Sequence, residues 1–104
     1  MKINLDTKYY YVVNENLEMS SGKLCAQVSH VAMMLSEEYS EVGRAIVLKA
    51  KETKLKSLID MPELQPVFYI NDAGFTEVPE GSLTCIGFKE NDFSQKFTKR
   101  LRLI

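Results

Sequence analysis

Apolar and polar residues follow two different patterns along this 104-residue chain, one typical of strands and one typical of helices. Four short stretches rich in β-branched and aromatic residues predict β-strands, at residues 8–13, 44–50, 67–70 and 83–88. Three other stretches place apolar residues every three or four positions, which predicts α-helices. The predicted helices run from Ser20 or Ser21 to about Tyr39, from Thr53 to Met61, and through a C-terminal stretch with Phe93, Phe97 and Leu101. The predicted order is therefore β-α-β-α-β-β-α.

This order of elements predicts the fold class. Strands that alternate with helices favour an α/β domain in which a largely parallel sheet carries helices on both faces. A chain of 104 residues is long enough to form one hydrophobic core. The sequence contains no internal repeat, linker or low-complexity segment, so we predict a single domain over residues 1–104.

The first predicted helix carries the most distinctive polar pattern. At about 100° per residue, Lys23, Gln27 and His30 form one polar stripe beside an apolar one. Gly22 stands at the helix start, where unpaired N–H groups and the helix dipole favour an anion. Asp72 directly follows the third predicted strand, and α/β proteins bind ligands at the carboxyl ends of strands. Each residue also has a purely structural interpretation: a solvated lysine, a helix-forming glutamine, a packed histidine and an aspartate in a turn.

Composition narrows the class of protein without deciding its function. Hydrophobic residues make up 45% of the chain and the net charge is −1, as in ordinary folded proteins. The polar, mixed residues 1–6 do not resemble a signal peptide, and no apolar run approaches the roughly 18 to 20 residues of a membrane span. We therefore expect a cytoplasmic protein without a signal peptide or a membrane contact. Cys25 and Cys85 have no metal-ligand spacing and are expected to be buried thiols.

Basic residues concentrate in two segments, 44–60 and 89–104. An ordinary solvated surface explains such segments as readily as contacts with a phosphate backbone do. The first segment contains Lys54 and Lys56, on the second predicted helix. If nucleic acid is a partner, these two lysines are candidates for phosphate contacts.

Two blocks of residues resemble a known family. Residues 22–32 read G-K-L-C-A-Q-V-S-H-V-A, and residues 70–84 read I-N-D-A-G-F-T-E-V-P-E-G-S-L-T. In this order the blocks resemble the type II peptidyl-tRNA hydrolases of archaea and eukaryotes. That family carries a G-K-x-x-A-Q-x-x-H-A helix followed by a D-A-G-x-T-E segment. The resemblance implies a three-layer α/β/α sandwich with a four-stranded mixed sheet. The chain departs from the family in short connections around residues 45–50 and in K-E-N-D at 89–92, where the family has a Gly-Pro-containing loop.

The resemblance also implies a reaction, the hydrolysis of the ester that joins a peptide to the 3′ ribose of tRNA. An ester is already activated, so the chemistry requires no metal and no other cofactor. Asp72 would activate or orient a water molecule, and Lys23 would stabilise negative charge. Gln27 and Thr76 would hydrogen-bond the reacting centre. Binding roles would fall to Gly22, His30, Thr84, Lys54 and Lys56.

Other functions stay open at this point. The acidic pI of about 5.8 and the trimmed connections favour a non-catalytic module that binds RNA or protein on the same fold. A hydrolase of another ester or N-blocked substrate is a third interpretation. We favour the enzyme because the polar residues of both blocks are all present. The sequence leaves the oligomeric state undecided, a homodimer included.

Overall fold

The computed structural model describes residues 1–73 and 78–104. In these ranges the chain forms five strands, three α-helices and one 3-10 turn at Pro62–Leu64. The strands are β1 (Lys2–Asn14), β2 (Glu41–Ala50), β3 (Phe68–Asn71), β4 (Leu83–Lys89) and β5 (Arg102–Leu103). The helices are α1 (Ser21–Tyr39), α2 (Glu52–Ile59) and α3 (Gln95–Thr98).

The five strands form one sheet in the order β3-β4-β1-β2-β5. Only β1 and β2 are a parallel pair; the other three neighbouring pairs are antiparallel. The predicted α/β class, with helices on both faces, is confirmed, but the prediction of a four-stranded, largely parallel sheet is wrong. A parallel neighbour needs a crossover connection. Here α1 supplies one between β1 and β2, whereas β4 turns back beside β3.

The fifth strand also corrects the predicted C-terminal helix. α3 is a single turn, Gln95–Thr98, and the chain then extends so that Arg102 pairs with Lys49 of β2. Phe93 and Phe97 nevertheless pack against the core as their spacing predicts. Cys85 is buried as expected, while Cys25 is exposed on α1, so the prediction of a buried thiol was wrong for that residue.

Two apolar clusters cover the two faces of the sheet. On one face, Val31 and Leu35 of α1 pack against Tyr9 and Tyr11 of β1. On the other face, the buried Leu55 and Leu58 of α2 pack against alternate β1 residues, such as Val12. Since successive strand residues point to opposite faces, the run Tyr9 to Val13 supplies both clusters and is buried throughout.

The elements that position the candidate site meet at one edge of the sheet. β1, β2 and β3 run in the same direction, so their carboxyl ends lie at this edge, where α1 and α2 begin. The buried Asn14 links the end of β1 to β4 and α2 at this edge. Its Nδ2 donates to Leu83 O at 2.9 Å and to Glu52 Oε1 at 3.1 Å. None of the described helices has the length and apolar character needed to cross a membrane.

Candidate active site

Three of the four predicted catalytic side chains meet at this edge. Lys23 Nζ of α1 donates to Asp72 Oδ1 just after β3, and the two groups form an ion pair. Gln27 Nε2 donates to the same oxygen at 2.8 Å. Asp72 and Gln27 are buried, while the Lys23 side chain stays 13% exposed. The carboxylate is therefore held by a cation and an amide, and the Lys23 side chain that pairs with it keeps a small exposed fraction.

Local structure explains why these groups converge. Ser20 caps α1 by accepting a hydrogen bond from the Lys23 N–H, which fixes the first helical turn. Lys23 and Gln27 are four residues apart and so lie on one side of the helix. Asp72 is fixed through its backbone: its N–H donates to Ser82 O at 2.8 Å, and its carbonyl accepts from Gly81 N at 2.7 Å.

The turn beside Asp72 depends on a glycine. The Ser82 N–H donates to Pro79 O, and Gly81 takes a φ of 83° at the third position of this turn. A positive φ at that position is the requirement of a type II turn, and glycine meets it without steric cost. The turn in the second sequence block therefore serves to hold the backbone of the carboxylate.

The side-chain oxygen of Gln27 has no hydrogen-bond partner among the described residues. Gln27 is 3% exposed, and its Oε1 accepts no hydrogen bond from the described residues. A buried acceptor without a partner costs about 1–3 kcal/mol. The same atom stands next to the amide nitrogen that holds Asp72, so the side chain presents an acceptor beside the ion pair. Such an atom can hold the proton of a water molecule or of a substrate hydroxyl.

The remaining predicted residues lie in different settings. Gly22 and His30 are exposed on α1, and a Cβ added to Gly22 would meet nothing within 4 Å. Thr84 is fully buried on β4, where its hydroxyl donates to Ile70 O at 3.4 Å. Thr76 lies outside the described residues. The binding or catalytic roles of these four residues stay predictions.

Lys54 and Lys56 lie on α2, across the sheet from α1. Lys54 Nζ lies 5.6 Å from the centroid of the Phe97 ring, so part of its role is packing. Lys56 is exposed and pairs with Glu52 at 3.4 Å. Lys56 also lines a groove of about 410 Å³ together with Tyr69 and other residues of β3 and the turn before β4. A phosphate contact by either lysine stays a prediction.

Sequence reasoning missed this groove and the buried Asn14. Asn71 and Ser82, which flank the Asp72 backbone, also line the groove. The alternation of β3 contained the signal, because Tyr69 and Asn71 are exposed while Phe68 and Ile70 pack toward α1. The groove therefore lies on the α2 face of the sheet and includes Gly81 and Ser82, which hydrogen-bond to the Asp72 backbone.

Comparison with known proteins decides the family. The model of the family described as peptidyl-tRNA hydrolase PTH2 matches residues 7–104. The chain belongs to this family. The resemblance that the two sequence blocks indicated is thereby confirmed.

Curated relatives of the PTH2 chain include archaeal proteins named peptidyl-tRNA hydrolase. The Methanopyrus kandleri protein is 33% identical over 96 aligned positions, which cover 77% of this chain and 81% of the relative. The Haloquadratum walsbyi protein is 37% identical over 91 positions, covering 76% and 81%. The Thermoplasma acidophilum protein is 29% identical over 115 positions, covering 93% and 97%.

The last alignment also bears on chain length. It spans 115 positions, more than the 104 residues of this PTH2 chain. Some residues of the relative therefore have no counterpart in this chain. This agrees with the prediction that connections are trimmed. Which connections are shorter stays a prediction.

Proposed function

We propose that this chain hydrolyses the ester bond of peptidyl-tRNA, releasing the peptide and free tRNA. Membership of the PTH2 family and the names of its relatives support the reaction. The observation that carries the assignment of the site is the Lys23–Asp72 ion pair with Gln27 on the same carboxylate oxygen. Because peptidyl-tRNA arises in translation, we also propose that the protein acts in the cytoplasm.

The proposed mechanism uses a water molecule as nucleophile. Its oxygen bonds to the carbonyl carbon, the bond from that carbon to the ribose 3′ oxygen breaks, and a proton passes to the 3′ oxygen. Asp72 orients the water or takes its proton, and Gln27 Oε1 accepts its second hydrogen. Lys23 stabilises the negative charge that develops on the carbonyl oxygen. Thr76 is assigned a hydrogen bond to the reacting centre on the sequence resemblance alone.

Substitution of Asp72 tests the assignment. Asp72→Asn keeps the size of the side chain and removes its charge, so hydrolysis of N-blocked aminoacyl-tRNA should fall by roughly 10² to 10⁴. Circular dichroism should show a folded protein, since the backbone hydrogen bonds of Asp72 remain. A folded variant that cleaves at the wild-type rate would show that Asp72 is not catalytic. Absence of cleavage by the wild-type protein would favour the non-catalytic binding module.

A variant with both Lys23 and Asp72 substituted tests whether the two residues act as a pair or independently. Lys23→Ala should also lower turnover, because the ammonium and the carboxylate act as a pair. When two residues act as a unit, substituting both raises the activation free energy by less than the sum of the two single effects. The double variant Lys23→Ala with Asp72→Asn should therefore be little slower than the slower single variant. Fully additive losses would contradict the paired role.

We also propose that basic residues at the carboxyl edge of the sheet contact tRNA phosphates. The exposed Lys56 is near this edge and lines the groove behind Asp72, whereas the exposed Arg44 lies toward the amino end of β2. Each phosphate contact contributes a slope of roughly −0.7 to −0.9 when log affinity is plotted against log salt. Lys56→Glu should weaken tRNA binding and reduce that slope by about one contact.

Arg44→Glu is the matched control, since it makes the same change in charge at the opposite edge. We expect its tRNA affinity and salt dependence to stay close to wild type in a filter-binding titration. Equal effects of the two reversals would mean that net charge, and not the position of Lys56, governs binding.

A further inference from the structure

β3 forms one edge of the sheet and leads directly into the candidate active site. β4 pairs with it on one side, and no other strand among residues 1–73 and 78–104 pairs with its second side. Asn71, the last residue of the strand, directly precedes Asp72. Natural proteins often protect an edge strand with charged residues or proline, and Phe68–Asn71 contains neither. β3 is therefore an open strand edge that ends at the candidate catalytic carboxylate.

The main-chain groups of β3 alternate between β4 and the open side. Both the N–H and the carbonyl of Asp72 hydrogen-bond to the turn before β4. The carbonyl of Ile70, which accepts from the Thr84 hydroxyl, faces β4 as well. Successive residues of an antiparallel strand turn their N–H and C=O groups to opposite sides. The N–H and C=O groups of Tyr69 and Asn71 therefore face the open side.

This alternation continues along the whole of β3. Ile70 pairs with Cys85 and Asn71 with Leu83, so the extra residue at this irregularity lies on β4. β3 itself contains no insertion. Two N–H groups and two carbonyl groups of β3 therefore face the open side in regular order, as a strand that binds there requires.

The surfaces on both faces beside this edge suit a peptide. On the α1 face, Met34, Glu37, Glu38 and Phe68 line a depression of about 360 Å³. On the α2 face lies the groove that Tyr69 lines. A bound strand directs alternate side chains to the two faces, and each face offers them space. The described lining of the depression has two carboxylates and no basic residue, so it repels phosphates and disfavours tRNA at the start of β3.

We propose that the peptide of peptidyl-tRNA binds as a parallel strand on the open side of β3. The inference rests on the proposed function, because the ester to be cleaved has to reach Asp72. β3 runs toward Asp72, so a peptide whose carboxyl end reaches Asp72 runs in the same direction. Strand addition takes its affinity from the main chain of the peptide, so it suits an enzyme whose substrates vary in sequence.

Parallel pairing assigns each hydrogen bond. Counted back from the tRNA, the first peptide residue lies beside Asp72, and its N–H donates to the Asn71 carbonyl. The third peptide residue accepts from the Asn71 N–H and donates to the Tyr69 carbonyl. The carbonyl of the fifth accepts from the Tyr69 N–H. The second and fourth peptide residues turn their main-chain groups away from β3. In an acetylated tetrapeptide, the acetyl group supplies the fifth carbonyl.

Acetylated alanine peptides of increasing length, esterified to one tRNA, test the proposal. Each residue added from one to four contributes one hydrogen bond, so KM should fall about twofold to tenfold per step and then level off at five residues. kcat should change little, because these contacts are alike in the ground state and the transition state. Cleavage of every member with the same KM would leave the proposed function standing and overturn the strand. No cleavage of any member would overturn both.

N-methylation of the tetrapeptide tests the alternation. A methyl group on the nitrogen of the third residue removes the hydrogen bond to the Tyr69 carbonyl and should raise KM about twofold to tenfold. The same methyl group on the second residue is the matched control, since that N–H points away from β3. Its KM should stay near that of the unmodified peptide. Equal effects at the two positions would show that the peptide does not pair with β3.

Tyr69→Pro tests the same contact from the side of the protein. Proline removes an N–H that faces the open side, so the pairing with β4 is retained. The fall in KM from three to four residues should disappear in this variant. The control Tyr69→Thr keeps the N–H and loses the ring, so it should retain that step.

Three results with these variants contradict the assignment. They are retention of the step in Tyr69→Pro, its loss in Tyr69→Thr, and weaker binding of deacylated tRNA by Tyr69→Pro alone, which would place tRNA at this edge. Circular dichroism shows whether each variant is folded. If Tyr69→Pro does not fold, the two methylated peptides decide the question with the wild-type protein.

Discussion

Gln27 shows at the scale of one residue how stability and function compete. Its amide nitrogen supports Asp72, but its Oε1 is buried without a hydrogen-bond donor among the described residues. Within the described part of the chain, folding alone gives no reason for such an arrangement, because an unpaired acceptor costs stability. The role toward water or substrate that we propose for Gln27 would supply a reason. Functional residues commonly lower stability in this way.

Gln27→Met should therefore separate activity from stability. Methionine has a similar length and good helix propensity, but it neither supports Asp72 nor accepts a proton. We expect turnover of N-blocked aminoacyl-tRNA to fall by about tenfold to a hundredfold, in the range of a lost positioning contact. The melting temperature should change little, because removal of the buried acceptor is offset by loss of the hydrogen bond from Gln27 Nε2 to Asp72. Unchanged turnover would show that Gln27 only fills space.

The sequence predicted the positions of some of these side chains better than those of others. The spacing of Lys23 and Gln27 predicted that both lie on one side of a helix, and they do. Their contact with Asp72, 45 residues beyond Gln27, depends on how α1 lies on the sheet, which no local pattern encodes. The burial of Thr84 was hidden for the same reason. A threonine on a strand gives no local sign of what covers it.

At the scale of elements, α1 lies very close to β4. A Cβ added at Gly87 would lie 2.5 Å from Val31 Cγ1 and 3.0 Å from Leu35 Cδ1. Glycine at this position therefore lets the helix approach the sheet. The helix that rests on Gly87 also carries Lys23 and Gln27, so its distance from the sheet sets their distance from Asp72. Packing on this face should matter for activity as well as for stability.

Gly87→Ala should lower both the activity and the stability of the protein. The added methyl group pushes α1 outward, which should cost about 1–3 kcal/mol as overpacking does. Turnover should fall because the displaced helix moves Lys23 away from Asp72. Leu58→Ala is the control on the α2 face; it should cost about 2–5 kcal/mol and leave the turnover of folded molecules near wild type. Urea denaturation and assays at a temperature where both variants are folded provide the measurements. Normal turnover in Gly87→Ala would separate helix packing from the site.

At the scale of the whole molecule, the sequence predicted the class of fold but not the strand directions. The alternation of strand and helix patterns predicted layers correctly, since it depends on local periodicity. The direction of β4 is not encoded in its own residue pattern, and the two-residue β5 is too short to show a periodic pattern. The prediction that residues 1–104 form one domain stays a prediction. Strand order and direction are set by contacts across the sheet, which a single sequence displays only weakly.

Three buried side chains that lose a proton at high pH, Tyr9, Tyr11 and Cys85, lie on the α1 face of the sheet. Burial raises the pKa of Cys85 from 9.0 to about 12 and that of Tyr11 from 10.0 to about 12. Burial also raises the pKa of Tyr9, and its hydrogen bond to Glu41 adds to the effect. All three side chains belong to the cluster beneath α1. In the unfolded chain these groups lose their protons at lower pH than they do in the folded protein.

The stability of the protein should therefore fall as the pH rises above about 9. Between the unfolded and folded pKa values the unfolded state binds fewer protons, so each pH step favours unfolding. Urea denaturation at about pH 7.5 and about pH 10.5 should give a clearly lower free energy of unfolding at the higher pH. Tyr11→Phe removes one of the groups, so its loss between the two pH values should be smaller than that of wild type. Equal losses in the two proteins would mean that Tyr11 ionises as readily in the folded protein as in the unfolded chain.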